Sequence, residues 1–237
     1  MQPRFVGQLS FADAVTVSNA ALGFVAVVVA PVDAHLAARL VLLAAVADGL
    51  DGVVARRYGG SPAGEYLDSL ADVASFAVAP AVVVVAVVRE AWRLSTGTPN
   101  ARTALAVGLP ALFVAMAVTR LGMYTAYDTA TWYTEGAPST LAATVLASAV
   151  LAGTTNPQVL LAGTAAFVYL MVSTVQYPDL LARDALLMGV VHSLAVLFPR
   201  ALGMTFPYAL LTLGLAYLTL SPRFYWRDGG AGEKGNA

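Results

Sequence analysis

Residues 48–72 read Asp48-Gly-Leu-Asp51-Gly52-Val-Val-Ala55-Arg56-Arg57-Tyr-Gly-Gly-Ser-Pro-Ala-Gly64-Glu65-Tyr-Leu-Asp68-Ser-Leu-Ala-Asp72. Five of the chain's 14 acidic residues fall in this stretch, and four of them are aspartates that border or enter apolar sequence on either side. An ionised carboxylate in or beside a membrane helix is costly unless something compensates it, so the cluster marks a functional site. Asp48 and Asp51 are three residues apart and Asp68 and Asp72 four apart, which puts each pair on one helical face. The Gly59-Gly60-Ser61-Pro62 break ends one helix before the next begins. An antiparallel turn there brings the four carboxylates to one level near the membrane surface. Four close carboxylates cannot all stay ionised without cations. Their oxygen donors suit Mg2+, Mn2+ or Ca2+, and the ligand count leaves room for two ions.

The residues between the acids complete this chemistry. Gly52 and Ala55 keep the end of the second helix low, so that a flat or bulky ligand can approach the backbone. Arg56 adds a fixed positive charge one turn past Asp51, suited to a phosphate, and Gly64 keeps a side chain out of the site where the third helix starts. Carboxylates for metal, small residues for close approach and an arginine for phosphate point to metal-assisted chemistry on a phosphorylated substrate.

Outward from this stretch the chain is apolar: of 237 residues 59% are hydrophobic and 11% charged, against about 25% charged in soluble proteins. Apolar runs between polar punctuation predict eight helices near 12–31, 38–56, 67–88, 103–123, 138–155, 158–176, 184–198 and 203–221, an all-α polytopic membrane bundle. Pro31-Val-Asp33, Thr96-Gly97-Thr98-Pro99-Asn100, Gly153-Thr-Thr-Asn156-Pro157 and Tyr177-Pro178-Asp179 supply breaks, as does Gly59–Pro62. The segment from Tyr124 to Pro138 is the longest polar connection and long enough for structure of its own. Residues 1–226 are expected to form one transmembrane domain, and the Gly-rich 227–237 a disordered tail. Asp13, Ser18 and Asn19 interrupt the first apolar run, which reads as a retained helix and not as a cleaved leader.

The net charge of −1 and the scattered basic residues exclude a nucleic-acid-binding surface. With no cysteine, disulfides, thiolate catalysis and sulfur-ligated metals are excluded as well. Eight spans place both termini on one side, together with eight basic residues (Arg4, Arg56, Arg57, Arg120, Arg183, Arg223, Arg227, Lys234) against five opposite (Arg39, Arg89, Arg93, Arg102, Arg200). That balance favours a cytoplasmic location for the termini and the acidic site.

The stretch resembles the signature of the CDP-alcohol phosphotransferase family, D-x-x-D-G-x-x-A-R followed by G-x-x-x-D-x-x-x-D, at Asp48, Asp51, Gly52, Ala55, Arg56, Gly64, Asp68 and Asp72. The resemblance implies a six-helix membrane core, usually homodimeric, that moves a phosphoalcohol group from a CDP-linked donor to an acceptor hydroxyl and releases CMP. It implies that Asp48, Asp51, Asp68 and Asp72 hold one or two Mg2+ or Mn2+ ions on the donor diphosphate, and that Asp72 also serves as general base. Gly52, Ala55, Arg56 and Gly64 then shape the CDP site. The resemblance spans roughly residues 10–180 and leaves the last two spans as an addition to the core.

Further stretches resemble the phosphatidylserine synthase branch of the family. These are Asp68-Ser-Leu-Ala-Asp72-Val-Ala-Ser75-Phe-Ala77-Val-Ala-Pro80, with alanine at 77 where glycine is usual, and Thr16-Val-Ser-Asn19-Ala-Ala-Leu-Gly23 in the first span. Arg120-Leu121, Gly136-Ala-Pro138 and Tyr169-Leu-Met-Val-Ser173 complete the set. They imply L-serine as acceptor, Thr16 and Asn19 at the CDP site, and Arg120 and Ser75 near the acceptor or lipid phosphate. The implied donor is a CDP-activated lipid with diacyl or archaeol tails, used at the plasma membrane. Two other readings stay open: the same chemistry on glycerol phosphate, inositol phosphate or another alcohol, and a cation transporter whose aspartates line a pathway.

Overall fold

The structure, a computed structural model, describes residues 9–94, 100–127 and 132–226, without the side chains of Arg56 and Tyr58. The expected tail at 227–237, the Thr96–Pro99 part of one predicted break and the middle of the Tyr124–Pro138 connection lie outside the described residues. The rest is helical: α1 (Phe11–Val29), α2 (Ala34–Tyr58), α3 (Gly64–Asp72), α4 (Ala79–Ala91), α5 (Ala101–Tyr127), α6 (Ser139–Leu151), α7 (Pro157–Leu170), α8 (Ala182–Leu197) and α9 (Thr205–Phe224). A π-helical segment, Val73–Val78, joins α3 to α4 in one continuous rod, Gly64–Ala91. Counted as rods, the described residues form eight, one on each apolar run.

The polar punctuation between the runs works as helix capping. The Ser10 hydroxyl accepts the Asp13 backbone N–H at 3.1 Å while the Asp13 carboxylate accepts that of Ser10 at 2.6 Å, a reciprocal cap that starts α1. Asp33 accepts from Leu36 at the start of α2, Asn100 from Thr103 at the start of α5, and Asn156 from Gln158 at the start of α7. Each satisfies an N–H that the first turn of a helix leaves without a partner. Between α8 and α9 the chain turns through left-handed residues at Leu202, Gly203 and Met204. Arg39 donates from α2 to the Val196 carbonyl at 2.9 Å and thereby caps the end of α8.

Three rods, Phe11–Val29, Gly64–Ala91 and Ala101–Tyr127, are long and apolar enough to cross a membrane. The α6 helix has 13 residues, ten of them buried, and packs against α2, α9 and the π segment at the centre of the bundle. The core runs from Ala38, Val41 and Leu42 through Phe76, Val84 and Phe113 to Leu146, Phe167 and Leu210.

The sixth apolar run departs from its expected extent. Its helix ends at Leu170, and Gln176 lies in a strand. The connection after α5 carries β1 (Tyr133–Glu135), which pairs antiparallel with β2 (Gln176–Pro178) in the register Thr134 opposite Tyr177. Gly136 follows β1 at φ +75°, where a Cβ would sit 2.3 Å from the Met171 carbonyl oxygen, so only glycine fits. The N–H groups of Gly136 and Ala137 donate to the carbonyls of Val175 and Leu170. The Gly136-Ala-Pro138 and Leu-Met-Val-Ser173 stretches thus flank the two strands, and the Ala137 N–H joins them at the Leu170 carbonyl.

Candidate active site

The acidic stretch folds as a helix, a short loop and a second helix. Gly59, at φ +84°, ends α2, and Ser61 starts the turn into α3 by accepting the Ala63 N–H. One carboxylate oxygen from each of Asp48, Asp68 and Asp72 lies within 4.8 Å of the others. Asp72 is buried at 8% exposure, and its Oδ1 has no hydrogen-bond partner. Asp51, at 7% exposure, turns its carboxylate toward α1, where Thr16 Oγ1 donates to Oδ2 at 2.7 Å. That hydroxyl also lies 3.1 Å from the Ala12 carbonyl of its own helix, and the shorter contact is the one to the carboxylate.

Three carboxylates this close repel one another, and the buried Asp72 oxygen lacks the donor that burial ordinarily requires. An all-oxygen, strongly anionic donor set of this kind fits a hard divalent cation. Asp48, Asp68 and Asp72 are able to hold it, with Asp51 one helical turn along from Asp48.

The first helix supplies the opposite wall. Asp13, Thr16, Asn19 and Gly23 fall on one buried face of α1, directed at the acidic stretch and the π segment. Asn19 is fully buried, and neither its side-chain nitrogen nor its oxygen has a partner. Its backbone carbonyl accepts the Ser75 hydroxyl at 2.8 Å, so Ser75 ties α1 to the rod that carries Asp72. At Gly23 a Cβ would lie 2.7–2.8 Å from atoms of Ser75 and Ala74. Backbones touch there.

The π segment follows Asp72 directly. Pro80 has no N–H to offer the preceding turn, and the Ala79 N–H reaches back five residues to the Ala74 carbonyl. The widened turn presents Ser75 to α1 and buries Phe76 in the core.

Gly52 and Ala55 lie half-buried on α2, past Asp51. The side chain of Arg56 lies outside the described residues. A Cβ at Gly64 would face Asp13 Oδ1 at 3.4 Å, an ordinary contact. Arg120, on α5, lies within electrostatic reach of Asp72. Its NH2 donates to Thr134 Oγ1 on β1 at 2.9 Å, and its guanidinium stacks on Tyr124, 4.5 Å from the ring centroid.

Three participants escaped the sequence reading. Asp13 interrupts an apolar run there, whereas in the fold it caps α1 and faces Gly64 at the start of α3. Its three-residue spacing to Thr16, repeated from Thr16 to Asn19, is the signal that would have found it. Thr134 and Tyr124 carried no signal, since their link to Arg120 depends on the ribbon.

The family model for CDP-alcohol phosphatidyltransferase matches residues 9–199. The chain is 29% identical over 175 residues to an archaetidylserine synthase of Methanothermobacter thermautotrophicus, covering 72% of this chain and 70% of that protein. It is 58% identical over 48 residues to a CDP-diacylglycerol–serine O-phosphatidyltransferase of Mycobacterium leprae, covering 20% of this chain and 16% of that protein. Apolar rods together with this match make the protein a multi-pass membrane transferase with a carboxylate cluster suited to a divalent metal. The chain belongs to the CDP-alcohol phosphatidyltransferase family.

Proposed function

We propose that the protein transfers the phosphatidyl or archaetidyl group of a CDP-activated lipid to the hydroxyl of L-serine and releases CMP. The observation that carries the reading is the convergence of one carboxylate oxygen from each of Asp48, Asp68 and Asp72 to within 4.8 Å of one another. The serine assignment draws on the two relatives, both of which are named for serine or archaetidylserine products.

Asp48, Asp51, Asp68 and Asp72 hold one or two Mg2+ or Mn2+ ions. Bound there, these ions supply neutralisation of the donor diphosphate and of the departing CMP. Gly52, Ala55 and Gly64 leave room for the nucleotide, Arg56 faces its phosphates, and Thr16 and Asn19 border it from α1. The Asn19 amide offers the donor and acceptor that a nucleotide needs once water is excluded. Arg120 receives the serine carboxylate. The serine oxygen attacks the lipid-side phosphorus, the bond from that phosphorus to the bridging oxygen breaks, and CMP leaves with the bridging oxygen. Asp72 takes the hydroxyl proton. The lipid tails stay in the bilayer, all eight rods contribute to the membrane domain with α8 and α9 added to a six-helix core, and the site faces the cytoplasm of a homodimer in the plasma membrane.

The test is CMP release by purified protein supplied with a CDP-lipid and Mg2+ or Mn2+, comparing L-serine, glycerol phosphate, inositol phosphate and no acceptor. Diacyl and archaeol donors form separate arms. Release with serine alone is expected; release with another acceptor contradicts the serine assignment and keeps the family chemistry.

A further inference from the structure

The ribbon formed by β1 and β2 meets the site at Arg120, which donates to Thr134 and lies within electrostatic reach of Asp72. A guanidinium is planar, so fixing one edge and one face fixes the direction of its remaining donors. Both are fixed here by residues outside the acidic stretch. The edge donates to Thr134 Oγ1 at 2.9 Å, and the face lies on the Tyr124 ring. The Tyr124 hydroxyl in turn hydrogen-bonds Thr134 Oγ1 and the Glu135 N–H, so platform and edge partner are locked to each other.

The ribbon is itself anchored from three directions. Thr134 pairs with Tyr177, whose side chain is almost fully buried. Tyr217 on α9 donates to the Pro178 carbonyl at 2.6 Å. Gly136 closes against the end of α7 through the positive-φ turn described above. An arginine on a lipid-facing helix would otherwise be free to extend toward the interface; here the ribbon holds it toward Asp72.

We infer that Thr134 and Tyr124 are positioning residues that hold Arg120 for the acceptor, and that the ribbon sets acceptor affinity separately from the machinery that binds CDP and metal. This inference rests on the proposed function, because it takes Arg120 as the acceptor's carboxylate or phosphate partner.

Thr134→Val keeps the size and strand preference of the residue and removes only its hydroxyl. It is expected to raise KM for L-serine about tenfold, the effect of losing roughly one hydrogen bond that orients a charged group. The KM for the CDP-lipid and kcat should stay within about twofold. Tyr124→Phe is expected to act in the same direction, Thr134→Ser to restore the wild-type value, and Arg120→Lys to raise the serine KM at least as far as Thr134→Val. A Thr134→Val enzyme with unchanged serine KM overturns the inference. So does one in which both substrates' KM values rise together while the melting temperature falls, since that pattern marks a purely structural role. If wild-type protein uses a different acceptor, the serine assignment fails, and the same KM split, read on that acceptor, still decides the role of the ribbon. A wild-type protein that releases CMP with no acceptor overturns both.

Discussion

Thr16 shows how a residue that looks incidental in a helix can belong to a site 35 positions away. Its hydroxyl donates to the buried Asp51 carboxylate, and removing it takes one hydrogen bond from a buried charged group. Thr16→Val should therefore weaken the apparent Mn2+ affinity in a CMP-release titration by about tenfold, whereas Thr16→Ser should match wild type. Gly23 is the counterpart on the packing side. A methyl group there meets the backbone of the π segment, so Gly23→Ala should lower the melting temperature of detergent-solubilised protein, a loss of about 1–3 kcal/mol for overpacking. The approach of Asp48, Asp68 and Asp72 was legible from sequence because spacings of three and four fix a helical face, whereas the turn of the Asp51 carboxylate toward Thr16 was not. The role of Asp13 was not, because it faces Gly64, which lies beyond the whole of α2 in sequence.

At the scale of elements, the eight rods were legible because apolar runs of this length have few alternatives, and because the Asp33, Asn100 and Asn156 breaks are also helix caps. The end of the sixth run was misplaced for a physical reason. Val172 and Val175 are as compatible with helix as their neighbours, and what stops α7 is the chain at Gly136 and Ala137 arriving from a distant connection to take the Val175 and Leu170 carbonyls. No local signal reports a three-residue strand whose partner lies in another connection. Gly136→Ala tests that packing: the substituted Cβ cannot coexist with the Met171 carbonyl. The variant should lose thermal stability and, if it folds, show a weakened response to serine before any weakening toward the CDP-lipid. Equal stability of Gly136→Ala and wild type would contradict the ribbon described above.

For the whole molecule, the even number of rods brings the start of α1, the α2–α3 loop, the ribbon and the end of α9 to one end of the bundle. Trp132 and Trp226 meet there edge to face, in keeping with the preference of such rings for a membrane surface. Because the chain has no cysteine, single substitutions report sidedness without background. Pro62→Cys in the α2–α3 loop and Val32→Cys in the exposed α1–α2 turn should react with a membrane-impermeant maleimide from opposite faces of right-side-out vesicles, the first only after permeabilisation. Labelling of both from outside would contradict a cytoplasmic site. The carboxylate cluster predicts that chelation of divalent metal abolishes turnover and that Mg2+ or Mn2+ restores it. CMP release by wild type and Asp72→Asn, measured side by side together with donor binding, decides whether serine-dependent transfer takes place at this cluster. Chelator-sensitive, serine-dependent release is expected of wild type, and a loss of about a thousandfold or more of Asp72→Asn with much of its donor binding intact. Wild-type turnover in Asp72→Asn, or release indifferent to serine, would place the reaction elsewhere or on another acceptor.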